Sequence, residues 1–414
     1  MKIAVIGAGV VGICTAYELA LDGHAVSVFE RHAAVAEEAS FACAGHMSPS
    51  LAHPLAFPPW PQASRLRALL QPAGIALTQG TSLADLRWLA GWKTGARDFV
   101  ERFAAAQALV NYSLERQQTL CTQAALVVEQ SQGQLLLLRT ERQVQESQDR
   151  LSALKAMGVT AKIVTPDEAR TLEPALGSEV PLHSALYFPN DAVGNCRQFA
   201  HALKERALEM GVVFHFATPV TAISHAPGIQ VQSTSLGAQG FDQAVVCAGA
   251  GAVALLAPAL KHVALTRVGS YSLSAQIREP LNAPRSAVLD GHSQISISRL
   301  GARIRVSGGA ELGGSARLQR EASTKLLYQT LQSHFPGAAD FSRSMQLWSG
   351  FSVFSPDALP LVGPSAQSGI WLNLAHGHNG WSMACGAARL LADQMQGRPS
   401  GLDTRLLLPS RFKS

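Results

Sequence analysis

The opening thirty residues, MKIAVIGAGVVGICTAYELALDGHAVSVFE, constrain this chain more than any other stretch. Lys2 to Ile6 reads as a buried parallel strand, apolar once past the lysine. Gly7-Ala8-Gly9-Val10-Val11-Gly12 follows without a spacer. A helix-like segment from Val11 to Leu21 comes next, then a turn at Asp22-Gly23 and a second strand, Ala25 to Phe29, that runs into Glu30. Each glycine has its own duty in such a unit. Gly7 serves the tight turn, Gly9 lets a pyrophosphate approach the main chain, and Gly12 lets the helix lie close on the sheet. The helix N-terminus offers free N–H groups and a partial positive charge to the phosphates. Glu30 stands eighteen residues beyond Gly12, near the roughly 20-residue spacing of a carboxylate that holds an adenosine ribose. A glycine triplet alone is a weak signal. Strand, glycines, helix, strand and acid in this order predict a dinucleotide site, and a carboxylate there disfavours NADP by repelling its 2′-phosphate.

At 414 residues the chain is long enough for a large core in two domains. Hydrophobic residues make up 47% and charged ones 15%, a globular composition. The net charge of +5 is spread without a long basic run, which gives nucleic-acid binding little support. Six cysteines, with no CxxC pair, suit reduced thiols in a cytoplasmic setting, and no metal site is expected. The glycine fingerprint argues against a signal peptide, and no apolar run reaches the length of a membrane span.

Past Glu30, residues 37 to 50 (EEASFACAGHMSPS) are small enough to run close along a ligand. Residues 51 to 64 carry Pro54, Pro58, Pro59 and Pro61 among Leu, Phe and Trp. That stretch is incompatible with a helix or a central strand, and reads as a crossing loop or as an apolar flap touching substrate, partner or membrane surface. Ala96 to Ala125 is expected to be one long helix with Phe99, Phe103, Ala106, Val110 and Leu114 on its buried face. Two strands about Gln132-Gly133 follow, then a helix from Arg142 to Met157 and a helix start at Thr165-Pro166. Ala185 to Pro189 is a short strand and Cys196 to Met210 a helix. Gly211 to Phe216, Val220 to Ser224, Ile229 to Gln232 and Gln243 to Cys247 are strands, the last running into Ala248-Gly249. Residues 264 to 307 are mostly β and predict a separate antiparallel sheet. Glu321 to His334 is a helix. Gly369 to Leu374 is a buried strand that feeds Ala375-His376-Gly377-His378-Asn379-Gly380-Trp381 into a final helix through Gln396.

This order predicts an α/β chain with a discontinuous Rossmann-like nucleotide domain (1–50, 166–255, 340–414) and an α+β antiparallel-sheet substrate domain (51–165, 256–339). A nucleotide domain that returns at the C-terminus suits FAD better than NAD, because a flavin ring must be held, shielded and aimed. A helix N-terminus facing that ring favours its anionic reduced form.

Several further stretches carry a resemblance: ASFACAGHMSP (39–49), QLLLLRT (134–140), LYFPNDAVGNCRQFAHAL (186–203), VVCAGA (245–250), Tyr-Ser-Leu (271–273), SRLGARIRVSGGAEL (298–312), SPDALPLVG (355–363) and WLNLAHGHNGWSMACG (371–386). With the N-terminal fingerprint, they resemble the FAD-dependent D-amino-acid oxidase and dehydrogenase superfamily over essentially the whole chain, and most of all its bacterial D-amino-acid dehydrogenase (small subunit) branch. The resemblance implies non-covalent FAD, oxidative deamination of D-amino acids, including cyclic D-proline types, to 2-oxo or imino acids, and electrons passed to a quinone-linked acceptor. It is compatible with a protein of the cytoplasm or one resting on the inner face of the plasma membrane. An oxygen-using amine oxidase of the glycine or sarcosine type is the neighbouring reading, and a non-catalytic flavin-binding subunit is a reading from another class. The oligomeric state is left open.

By the same resemblance, Gly7, Gly9, Val10, Val11, Gly12, Glu30, Arg31, Ser40, Ala44, Gly45, His46, Val220, Ala248, Gly249, Gly350, Gly377, His378, Asn379, Gly380 and Trp381 are expected at the FAD. Where the family carries Gly-Leu-Arg-Pro, this chain has Gly350-Phe351-Ser352-Val353, so Ser352 stands for an arginine. The substrate carboxylate is then expected to fall to Arg299 with Tyr271. Ser352, His46 and His378 complete the candidate catalytic set, with His376 and His378 read chiefly as loop shapers. Cys385 is considered as a covalent flavin tether and set aside, because the matching branch binds FAD non-covalently.

Overall fold

The computed structural model describes residues 1–52, 75–78, 80–94, 98–225, 228–256, 263–313, 320–343 and 345–412. Among these, Lys2–Ile6 forms the centre of a six-stranded sheet, with Ala25–Phe29 and Val213–His215 on one side and Gln243–Val246, Ile370–Leu374 and Leu361–Pro364 on the other. All of its pairings are parallel except the last. The three sequence segments expected to share a nucleotide unit thus meet in one sheet. Period-two burial explains why both faces are covered. Ile3, Val5 and Val245 point to a core with the helices Val10–Leu21, Cys196–Glu209 and Gly380–Met395. Ala4, Ile6 and Val246 point to a small antiparallel sheet of Val220–His225, Ile229–Ser233 and Gly237–Phe241, whose third strand the sequence reading had not included.

The β-rich section is not a separate sheet. Thr266–Ile277, Ala287–Asp290, Ile295–Leu300 and Arg303–Leu312 join an 11-stranded sheet in which Ala287–Asp290 runs parallel to Gln130–Leu138. Gln130–Leu138 is one strand, not a hairpin about Gln132-Gly133. Its partner Ser184–Gly194 pairs on both sides of that point, with a register shift between Gln132 and Gln134. Ser184–Gly194 and Gln346–Phe354, which the sequence reading had assigned to the nucleotide domain, belong to this large sheet. One face of the sheet packs Leu273, Ile297, Ile304 and Val306 against the helix Arg320–His334. The other face carries Ser272, Ser274, Ser296 and Ser298, all buried.

Local chemistry accounts for the helix boundaries. Thr140 and Thr165 each complete a capping box, with Gln143 and Glu168, and Pro166 occupies the first turn. The long helix runs from Phe99 to Gln123 and buries Phe99, Phe103, Ala106 and Val110, with Leu114 half-buried. It packs on the final helix at Gly386, where a Cβ would stand 2.9 Å from the Ser113 main chain. The proline-rich stretch from residue 53 onward lies outside the described residues. No helix among the described residues is long and apolar enough to cross a membrane.

Candidate active site

The C-terminal ends of Lys2–Ile6, Gln243–Val246 and Ile370–Leu374 open into a cavity of about 530 Å³ that continues across the serine-bearing face of the large sheet. This is the usual crevice for a ligand of an open α/β sheet, beyond the carboxyl ends of its strands.

One end of the cavity is built from the fingerprint. Gly7 turns at φ +105°, and a Cβ on it would meet the Cys247 carbonyl oxygen at 2.8 Å. Gly9, Val10 and Val11 line the wall, and the Val10 N–H donates to Ser40 Oγ at 3.1 Å. Glu30 closes this end. Its carboxylate accepts from the Ala8 N–H at 2.7 Å and the His32 N–H at 2.9 Å, which locks it in place while it still faces the cavity. Arg31 lines the wall beside it, paired with Glu38. Val220, Ala248 and Gly249 complete this end.

The other end is lined by Ala44, Gly45, His46, Ser296, Ser307, Tyr271, Trp348, Phe351, Ser352 and the strand-to-helix loop of His376, Gly377, His378, Gly380 and Trp381. His46 Nε2 lies 2.7 Å from Ser296 Oγ. Burial pushes the imidazole of His46 down to about 4 and that of His376 to about 3, so both are neutral at pH 7. Gly377, at φ +56°, brings its backbone against the Phe354 ring, where a Cβ would sit 2.7 Å from a ring carbon.

The residues fit an FAD. Buried polar atoms of cavity-lining residues have no hydrogen-bond partner among the described residues: Ser307 Oγ, Asn373 Oδ1, His376 Nε2 and Trp381 Nε1. Buried polar groups are normally paired, so four such atoms around one cavity point to a polar ligand. The glycine cradle supplies the close approach that a pyrophosphate needs.

Comparison with known proteins agrees. The family model described as FAD-dependent oxidoreductase matches residues 2–394. The chain belongs to the DAO family of FAD-dependent oxidoreductases. A D-amino acid dehydrogenase of Rhizobium rhizogenes is 34% identical over 419 residues, covering 100% of both chains. One from Sinorhizobium medicae is 34% identical over 417 residues with the same coverage. Glycine oxidase from Geobacillus kaustophilus shares the fold at TM-score 0.76 and 20% identity, covering 99% of each chain. L-proline dehydrogenase from P. horikoshii shares it at TM-score 0.73 and 18% identity, covering 100% of this chain and 97% of that one.

Within this flavoenzyme the candidate residues separate into those that reach the cavity and those that do not. Gly12 lies beneath the turn. A Cβ there would stand 1.9 Å from the Gly7 carbonyl oxygen, so it serves packing. Gly350 makes room for the Trp348 ring, which lines the cavity in its place. Asn379 is buried in the loop, its N–H on the His376 carbonyl at 3.0 Å. Cys385 sits in the core with its Sγ 3.7 Å from that of Cys14, which gives it no route to the flavin.

Arg299 requires a correction. It alternates with Ser296 and Ser298, so it points to the opposite face of the sheet from the cavity. Its guanidinium bonds the Gly301 and Pro280 carbonyl oxygens at 3.3 and 3.5 Å. Arg299→Met is therefore expected to leave KM within about twofold of the parent, where loss of a charge-assisted pair of about 1.5–3 kcal/mol would raise it tenfold or more. A tenfold rise in steady-state assays would return Arg299 to the site.

The cavity is also lined by Ser270, Ser296 and Ser307 and by Cys43, Cys196, Asn373 and Trp348, none of them among the residues expected from the sequence. The serines had a signal. In Tyr-Ser-Leu-Ser (271–274) and Ile-Ser-Ile-Ser (295–298), serine alternates with large apolar residues, which marks strands with a polar inner face.

The buried histidines set a pH dependence. Unfolded, they take up a proton near 6.5; folded, they do so only near 4 and 3. Between these values the unfolded chain binds more protons, so stability rises with pH and is lost as pH falls below 6.5. Urea midpoints measured from pH 7 down to 4.5 should decline less steeply in His376→Asn than in the parent. Equal slopes would remove His376 as a source.

Proposed function

We propose that this flavoenzyme is a D-amino-acid dehydrogenase. It oxidises the Cα–N bond of a D-amino acid, cyclic D-proline types included, to an imino acid that water converts to a 2-oxo acid, and its electrons go to a quinone-linked acceptor. The observation that supports this most is full-length similarity, 34% identity over 419 residues, to a protein named for that activity, with the candidate residues Tyr271, Ser352 and His378 at one end of the cavity. Bound FAD supplies the hydride acceptor. The chain's own residues supply position. Ser270 and Ser352 offer hydroxyls to the substrate, the neutral His46 and His376 add no charge at pH 7, and the Trp348 ring excludes water, while Tyr271 and Phe351 border the cavity from the face that packs with Leu273. A substrate whose amine enters neutral needs no strong base.

Anaerobic mixing with a panel of D- and L-amino acids tests the reading. The flavin absorbance should bleach with D-amino acids. A flavin that stays oxidised throughout, or that bleaches only with L-enantiomers, rejects it. The word dehydrogenase in the relatives' name supports an acceptor other than oxygen, and the apolar proline-rich residues 51 to 64 support contact with a membrane surface, where a quinone is held. Turnover should be fast with quinone analogues and slow under air, and peroxide release equal to substrate loss would make it an oxidase.

Ser352 lines the cavity where relatives of the resemblance carry an arginine. Ser352→Arg should narrow the substrate range toward small D-amino acids, because a guanidinium fills space and captures the carboxylate. An unchanged profile of kcat/KM across the panel would place Ser352 away from the substrate.

A further inference from the structure

Arg305 is a buried cation that the proposed function does not use. It is 8% exposed and lies on the serine face of the large sheet, opposite Ser298 on one neighbouring strand and Ser274 on the other. Its Nε donates to Ser274 Oγ at 2.8 Å and its Nη1 to the Cys43 carbonyl oxygen at 3.0 Å. Among the described residues no carboxylate pairs with it, whereas Glu18, Asp290 and Asp357, the other deeply buried acids that take arginines, are all engaged elsewhere. A guanidinium removed from water without a counter-charge is expensive. Burial accordingly pushes its own proton affinity down.

The charge sits directly behind the cavity wall. Cys43, whose carbonyl it holds, lines the cavity with Ala44, Gly45 and His46, and Ser307, two residues along the same face, lines it as well. The field of Arg305 reaches that wall: the Cys43 thiol is held down at about 7, first by a bond from Cys196 and also by the guanidinium. The fingerprint end, with Glu30 and Arg31, belongs to other elements.

We propose that Arg305 is an electrostatic positioning residue for the flavin, supplying through the Cys43–His46 wall the positive charge that favours the reduced, negatively charged ring over the neutral oxidised one. It rests on the FAD assignment, not on the identity of the substrate. In a low-dielectric setting, a fixed charge beside a group that gains an electron pair stabilises the product of that step.

The test uses the FAD-loaded protein and needs no substrate. Arg305→Gln keeps a donor for Ser274 Oγ and the Cys43 carbonyl and removes the charge, and Arg305→Lys keeps the charge. FAD content and thermal midpoint are recorded first. The Gln variant should shift the equilibrium against a reference dye at least tenfold toward oxidised flavin, a fall in potential of about 30 mV for a two-electron couple. It should also raise the sulfite dissociation constant at least tenfold, since the sulfite adduct of oxidised flavin is an anion. The Lys variant should recover most of both. Cys43→Ser, which removes a thiol that shares the charge, should leave the potential at or above that of the parent. A Gln variant with parental potential and sulfite affinity overturns the proposal, whether or not its FAD affinity falls. So do Gln and Lys variants that shift alike, and so does a lowered potential in Cys43→Ser. If Arg305→Gln does not fold with FAD, Arg305→Met removes the charge in its place and is read by the same two outcomes against Arg305→Lys.

Discussion

Gly9→Val should give a folded protein that no longer holds FAD. At φ −66° and ψ 173° the Gly9 backbone is open to any residue. A Cβ there would meet only Ser40 Oγ, at 3.4 Å, so the protein has room for it. Gly9 nevertheless lines the cavity, so the branch takes the space of the pyrophosphate. An overpacking cost of about 1–3 kcal/mol, joined to a lost charge-assisted hydrogen bond of about 1.5–3 kcal/mol, weakens FAD binding by roughly 100-fold or more. The apoprotein should show parental far-UV circular dichroism and titrate with FAD only weakly. Gly12→Ala is the informative contrast. Its Cβ would collide with the Gly7 carbonyl at 1.9 Å, so folding suffers before binding does. A Gly9→Val protein that copurifies with stoichiometric FAD would falsify the cradle.

Glu18→Gln should be among the most destabilising single changes in the chain. Glu18 is fully buried on the first helix and accepts from Arg116 Nε at 2.6 Å, Arg116 Nη2 at 2.8 Å and Arg389 Nη1 at 2.8 Å. Arg389 also bonds Asp22 and Asp393, and Arg398 joins them. The cluster ties the first, the long and the final helix together behind the nucleotide sheet. Neutralising Glu18 leaves Arg116, with 15% side-chain exposure, without an acid among the described residues. Breaking a buried pair in this way costs about 3–5 kcal/mol, whereas replacing both partners by apolar residues is often neutral. Denaturant titration with saturating FAD should show that loss in Glu18→Gln and recover most of it in Glu18→Leu with Arg116→Met. A loss below about 1 kcal/mol would mean that water reaches the cluster and screens it.

Local rules carried far in the first thirty residues. A strand, a tight turn, a helix and a second strand, with Glu30 at its end, are specified by neighbours in sequence, and all five occur in place. The helix start at Thr165-Pro166 and the final strand-to-helix loop were legible for the same reason, as was the helix that follows the Thr140 cap, though not the cap itself. The β section was legible as β but not in its partners. Nothing within Ala287–Asp290 says that it will run parallel to Gln130–Leu138, because that pairing depends on where two distant segments meet.

Arginine shows where the sequence stopped deciding. Arg299 and Arg305 stand six residues apart in one stretch, SRLGARIRVSGGAEL, and resemblance favoured the first. By itself the sequence determined the dinucleotide unit, the return of the chain to it at the C-terminus, and hence a flavin. Only the tertiary structure decided which arginine lies behind the cavity wall. Side chains alternate along a strand, and the pairing of Ile295–Leu300 with Arg303–Leu312 puts Arg305 in the row of Ser274 and Ser298 while turning Arg299 to the far face. A one-residue change of register would exchange those faces. Register is set by the hydrophobic face that packs on Arg320–His334 and by the hairpin at Gly301, so the position of the buried charge is a property of the assembled sheet.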